Sequence, residues 1–171
     1  SGIQAEVLAK LHPGATLLLF DIPPQLYVAH QYLLAVFGDR VVPYREAKRI
    51  TKPADLQKGR IHILPNWRFD LVRDLAADLF WSAATFGEME PDVVLNYLSQ
   101  VRVSTRSAYL MQAMKGRSRG WLPWRHGVQK PTVFAHYAQG LDGFSCTDRQ
   151  PALYPGGKQM PGYDDSFWTR N

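Results

Sequence analysis

Along this chain, short unbroken apolar runs alternate with longer segments whose apolar residues recur at helical spacing. The run Leu17–Phe20 ends in a single carboxylate, Asp21, and Pro23 and Pro24 follow. A continuous apolar run closed by an acid predicts a strand buried on both faces, its carboxyl edge opening into a ligand crevice. The same design returns at 60–64, stopped by Pro65, and again at 77–84 and 107–114. Between these runs the periodicity predicts helices. One covers 3–11, with Ile3, Val7, Leu8 and Leu11 on a face ended by Pro13 and Gly14. A second covers 24–37, with Leu26, Ala29, Leu33 and Phe37 on its face and Gly38 after it. A third carries Val93, Val94, Tyr97, Leu98 and Val101, and a short one covers 132–139. A minor strand is expected at 40–44, and strands at 143–153 and 166–170 complete the pattern as an antiparallel hairpin. Buried strands alternating with helices predict an α/β fold with right-handed crossovers and a mostly parallel open sheet.

At 171 residues the chain has the length of one domain, taken here as 1–171. It opens on a helix that feeds a parallel strand, so the strand that helix should come from is expected to be missing and the domain incomplete. Apolar runs fall well short of the roughly 20 residues of a membrane span, and no signal peptide is recognisable. The single cysteine, Cys146, cannot form an internal disulfide, which points to a reducing compartment and a cytoplasmic protein. Twenty Lys and Arg against fifteen Asp and Glu give +5, enough to favour anionic ligands and short of a nucleic-acid signature.

Asp21 is the first candidate for chemistry. A carboxylate at such an edge accepts hydrogen bonds from the vicinal hydroxyls of a ribose; the same residue before two prolines also suits a helix cap. Leu64, Pro65 and Asn66 follow the second run and would bracket a flat base, with Asn66 offering a donor and an acceptor, or simply making a turn. Glu88, Glu90 and Asp92 crowd a helix start, where the helix dipole favours acids in any case. His30, alone on its helix, is read as a packed or surface residue. The stretch 115–130 sets Lys115, Arg117, Arg119, Arg125, His126 and Lys130 around Trp121 and Trp124, and reads as a lid or as a surface for polyanions. Asp164 and Asp165 are adjacent, which on a strand sends them to opposite faces and argues against a shared metal; no metal site is expected.

Three stretches carry a family resemblance. LLFDIPPQLYVAHQYLLAVFG, ADLFWSAATFGEMEPDVVLNYL and the closing GYDDSFWTRN occur in the order and at the spacing of class I S-adenosylmethionine-dependent methyltransferases. Within them the chain resembles the sugar O-methyltransferase family. The resemblance implies a Rossmann-like sheet, S-adenosylmethionine as cofactor, and methyl transfer to a sugar or related hydroxyl of a small molecule or glycan. It implies a cofactor site made by Gly2, Asp21, Ile22, Leu64, Pro65, Asn66, Ser82 and Ala83, and a general base in Glu88, with Glu90 and His126 as substitutes. The family's first strand and glycine-rich loop are missing, only Ser1 and Gly2 standing where that loop would end, so this polypeptide alone is expected to be inactive. Ser82 and Gln112 stand where the family usually has Asn. Two rival readings remain: a polyanion or nucleic-acid binding module using 115–130, and a non-catalytic methyltransferase-like domain. No membrane partner is expected, and a homo-oligomer is left open.

Overall fold

A computed structural model describes residues 2–116 and 128–171, and the chain divides into two units, Ser1–Asp74 and Leu75–Asn171. The first contains α1 (Ile3–Leu11), β1 (Leu17–Asp21), α2 (Pro23–Phe37), the single-turn α3 (Tyr44–Ala47) and β2 (Ile61–Pro65). β1 and β2 pair in parallel, in register from Leu17 with Ile61 to Asp21 with Pro65. Side chains alternate across this ladder. Leu17, Leu19, Ile61 and Ile63 join a core with Ala5, Ala9, Leu26, Leu33 and Val41. Leu18, Phe20 and Leu64 join another with Val42, Ala47, Ile50 and Leu71.

Three expectations are corrected in this unit. In α1 the core residues are Ala5 and Ala9, one turn apart, while Ile3, Val7 and Leu11 are 56, 51 and 68% exposed. Small side chains let α1 lie close to its neighbours, so close approach rather than side-chain size selects the buried face. β1 is half-buried along its whole length, whereas Ile61, His62, Ile63 and Leu64 of β2 are buried. β1 pairs only with β2 among the described residues, and β2 has Val41 bridged on its other side. No strand forms over 40–44: Gly38–Arg40 is a 3-10 turn, Val41 makes one bridge, and Pro43, which has no N–H to continue a ladder, precedes α3.

The second unit contains β3 (Ala77–Ala83), α4 (Pro91–Ser104), β4 (Thr105–Gln112), α5 (Phe134–Gly140), β5 (Phe144–Leu153) and β6 (Gln159–Arg170). Its sheet runs β3-β4-β6-β5, parallel between β3 and β4 and antiparallel thereafter. The fold class is therefore the expected α/β arrangement with a C-terminal antiparallel hairpin. β6 begins at Gln159, well before the expected 166, because its polar residues find partners across the sheet. Asp164 accepts from Arg149 (2.8 and 2.6 Å) and Asp165 from the Tyr109 hydroxyl (2.6 Å). Arg149 lies over Phe134, which stacks on Trp168, and Tyr109 packs at a tilt against Trp81, so the two acids do face opposite ways. Burial, and next the Asp165 carboxylate, raise the Tyr109 pKa and keep the phenol protonated.

Helices α4 and α5 meet where Gly140 ends α5. A Cβ at 140 would sit 2.6 Å from Leu98 Cδ1 and 2.7 Å from Leu98 Cβ. Gly140→Ala is therefore expected to lower stability by about 1–3 kcal/mol, read from the urea midpoint, despite alanine's better helix propensity. Adding Leu98→Ala removes the contact with Cδ1 but keeps Cβ at 2.7 Å, so in that background the glycine substitution should cost less without becoming neutral. Among the described residues no helix is long and apolar enough to cross a membrane.

Candidate functional site

In the first unit the parallel ladder sets Asp21 directly beside Pro65, so Asp21, Ile22, Pro65 and Asn66 share one carboxyl edge. Asp21 does not cap α2. Its Oδ1 accepts the N–H of Ile22 (2.8 Å), and α2 begins on Pro23 and Pro24 with no side-chain cap. Pro23 and Pro24 have no N–H for a cap to bond. No other hydrogen bond to the Asp21 carboxylate is made among the described residues. Ile22 is exposed beside it.

The edge is held from below by Phe69, whose ring meets Phe20 edge-on at 5.0 Å. That contact anchors the 3-10 segment Asn66–Asp74 and leaves Asn66 part-exposed at its start. Leu64 is fully buried in the core and presents no side chain to the edge. Trp67, by contrast, is 65% exposed. Sequence reasoning passed over it; the signal was a tryptophan two residues past a buried strand, where nothing in the hydrophobic pattern asks for one.

Gly2 is in the left-handed region (φ 88°) at the start of α1 and is buried; a Cβ there would lie 3.2 Å from Tyr32 Cδ1 and 3.3 Å from Leu33 Cγ. Packing of α1 on α2 accounts for this glycine.

In the second unit Ser82 and Ala83 close β3. Ser82 is buried, and the Gln112 Nε2, from the adjoining end of β4, donates to its carbonyl (3.2 Å) and its hydroxyl (3.0 Å). Ala84 then turns through φ 60°, a left-handed conformation uncommon for a residue other than glycine, and its N–H donates to Met111 O (2.7 Å). Thr85 Oγ1 returns to Ala83 O (3.2 Å). Phe86 is buried between Phe80 of β3, Tyr97 of α4 and Tyr137 of α5, with ring centroids 6.0, 6.3 and 6.3 Å away. That aromatic anchor fixes the turn Phe86–Glu88 and leaves Glu88 exposed, with no bonding partner for its carboxylate among the described residues.

Glu90 differs from Glu88. Its two carboxylate oxygens accept the backbone N–H groups of Gln129 and Lys130 (3.1 Å for the latter). It anchors the 128–130 segment, and Thr132 Oγ1 reinforces the join by donating to Met89 O (3.1 Å). His126 lies outside the described residues, as does most of the basic aromatic stretch.

No protein-family model matches the chain, and no curated protein does. Solved structures do. The mitomycin 7-O-methyltransferase MmcR is 16% identical, with a TM-score of 0.62 over 99% of this chain and 46% of its own. The methyltransferase CalO6 is 18% identical, with a TM-score of 0.58 over 98% of this chain and 53% of its own. LepI, in complex with SAM, is 11% identical, with a TM-score of 0.55 over 99% of this chain and 40% of its own. The fold is the Rossmann-like methyltransferase fold. The chain spans about half the length of these structures or less.

Proposed function

We propose that this chain belongs to an S-adenosylmethionine-dependent O-methyltransferase of the cytoplasm, that residues 1–171 serve one methyltransferase domain, and that the acceptor is a sugar or related hydroxyl. The observation that carries this reading is the Asp21 carboxylate, set by the ladder beside Pro65 and bonded only to its own neighbour's N–H among the described residues. The residues around it fit the adenosine part of the cofactor. Asp21 would accept the ribose hydroxyls, Asn66 would give a donor and an acceptor to the base, and Ile22 and Trp67 would cover its faces. Leu64 supports this edge from the core. β1 is apolar on both faces yet half-exposed, which favours a further strand beside it supplied by the rest of the protein.

When bound, the cofactor supplies an electrophilic methyl group, so the protein's work is mostly alignment. A sugar hydroxyl is a weak acid, and Glu88 is the general base that takes its proton. Glu90 is held by Gln129 and Lys130 and acts as an anchor. Ser82, Ala83 and Gln112 set where the Glu88 turn begins.

Transfer of labelled methyl from S-adenosylmethionine to a panel of sugar acceptors, made with the full-length protein, tests the reading. Glu88→Gln is expected to lower kcat by about 100-fold or more, the usual share of a general base, with cofactor affinity unchanged. Absence of transfer to every acceptor, together with no cofactor binding, would end it.

A further inference from the structure

The carboxyl end of β4 and the β5–β6 hairpin line an open pocket of about 480 Å³ that none of the residues discussed above as base or cofactor ligand lines. This is within the roughly 300–1,000 Å³ of ligand pockets. Backbone geometry brings two cations to it. On one side Gly116 N–H donates to Ala113 O (2.8 Å) and Phe134 N–H to Met114 O (2.9 Å), which holds Lys115 at the rim. Gly116 is at φ 77°, and a Cβ there would be 2.7 Å from Pro131 Cβ, so this turn is closed tightly. On the other side Tyr154 N–H donates to Lys158 O (2.7 Å) and Gly157 N–H to Tyr154 O (3.0 Å), which holds Lys158.

Among the described residues Asp164 is the one acid in the lining, and it is engaged by both Nε and Nη2 of Arg149. Lys115 and Lys158 have no carboxylate partner among the described residues. Lys115 and Lys158 therefore share the pocket lining with Met114, Met160 and Tyr163. Like charges brought to one pocket favour an anion between them, and thioether and ring surfaces favour a flat or ring-shaped body attached to it. Met114 lies two residues past Gln112, which bonds Ser82, and Thr132 donates to Met89 O, so the pocket belongs to the same strand ends as the Glu88 turn.

We propose that this pocket binds the acceptor through a carboxylate, so that the substrate is a hydroxylated ring acid. The word acceptor rests on the methyl-transfer reading; the anion site does not. A ring carboxylate is supplied equally by a uronic acid and by a hydroxylated aromatic acid. The test is calorimetric titration of the chain with glucuronate against glucose and with 4-hydroxybenzoate against 4-hydroxybenzamide, repeated on Lys115→Gln/Lys158→Gln. In at least one pair the acid should bind about tenfold or more tighter than its neutral partner, and the double variant should lose that preference while keeping its circular dichroism spectrum. Whichever pair responds identifies the ring. Equal binding within both pairs, or a preference that survives the double substitution, overturns the proposal. Acid preference without any methyl transfer leaves the site standing and removes the methyltransferase reading; methyl transfer to neutral acceptors, indifferent to both lysines, does the reverse.

Discussion

Replacing Arg40 by alanine is expected to destabilise the first unit by about 3 kcal/mol, the largest effect of any single polar residue there. Its guanidinium donates to four backbone carbonyls: Ala9 (2.9 Å), His12 (3.3 Å), Ala15 (3.1 Å) and Gly59 (3.0 Å). It also lies 5.7 Å from the Phe37 ring centroid. These contacts join the end of α1, the loop into β1 and the turn before β2, segments with few other bonds between them. A hydrogen bond with a charged donor contributes about 1.5–3 kcal/mol; because Arg40 is only half-buried, four of them are counted well below their simple sum. Lysine offers a point charge rather than a planar fork, so Arg40→Lys should recover less than half of the loss. Urea unfolding gives the magnitude, and faster amide exchange at Gly59 and at Ala15, whose amides donate to Thr16 Oγ1 and His12 O, would show where it falls. A change under about 0.5 kcal/mol, the size of an ordinary surface substitution, would contradict this role.

Replacing Asp21 by alanine in the full-length protein should do the opposite, leaving stability nearly unchanged while weakening cofactor binding. Asp21 caps nothing and bonds only the N–H of Ile22 among the described residues, so folding loses little. A charged acceptor lost from a ribose costs about 1.5–3 kcal/mol, roughly a 10- to 150-fold rise in Kd for S-adenosylmethionine. Asp21→Asn keeps one acceptor oxygen and should fall between. Calorimetry and thermal unfolding on the same preparations separate the two roles: a stability loss with intact affinity would make Asp21 a structural residue.

These two residues were not equally legible in the sequence. Asp21 stood out because an apolar run that stops at an acid and two prolines marks a strand end, and the ladder sets it beside Pro65, although β1 is half-buried and not buried on both faces as expected. Arg40 was invisible: one basic residue among several in a polar connection gives no sign that four carbonyls converge on it. The face of α2 was read correctly through Leu26, Ala29 and Leu33, since large apolar residues at helical spacing bury themselves. The same rule failed for α1, where Ala5 and Ala9 are inside and Ile3, Val7 and Leu11 outside; hydrophobic spacing reports amphipathicity, not the separation of neighbouring helices. Leu64 was assigned to the crevice by position along the strand, and the alternation of the ladder turned it into the core instead. Between Glu88 and Glu90, both acids at a helix start, only tertiary bonds to Gln129 and Lys130 tell an anchor from a carboxylate left open.

S-adenosylmethionine-type cofactors are expected to bind at the edge shared by Asp21 and Asn66, and a nitrogen-15 NMR titration of the full-length protein with S-adenosylhomocysteine tests this most directly. Saturable shifts are expected at the amides of Asp21, Ile22, Asn66 and Trp67 and at the Trp67 indole, and in Asp21→Ala they should need about 10- to 150-fold more ligand. Shifts confined to other residues, or none at these positions up to the ligand's solubility, would contradict it.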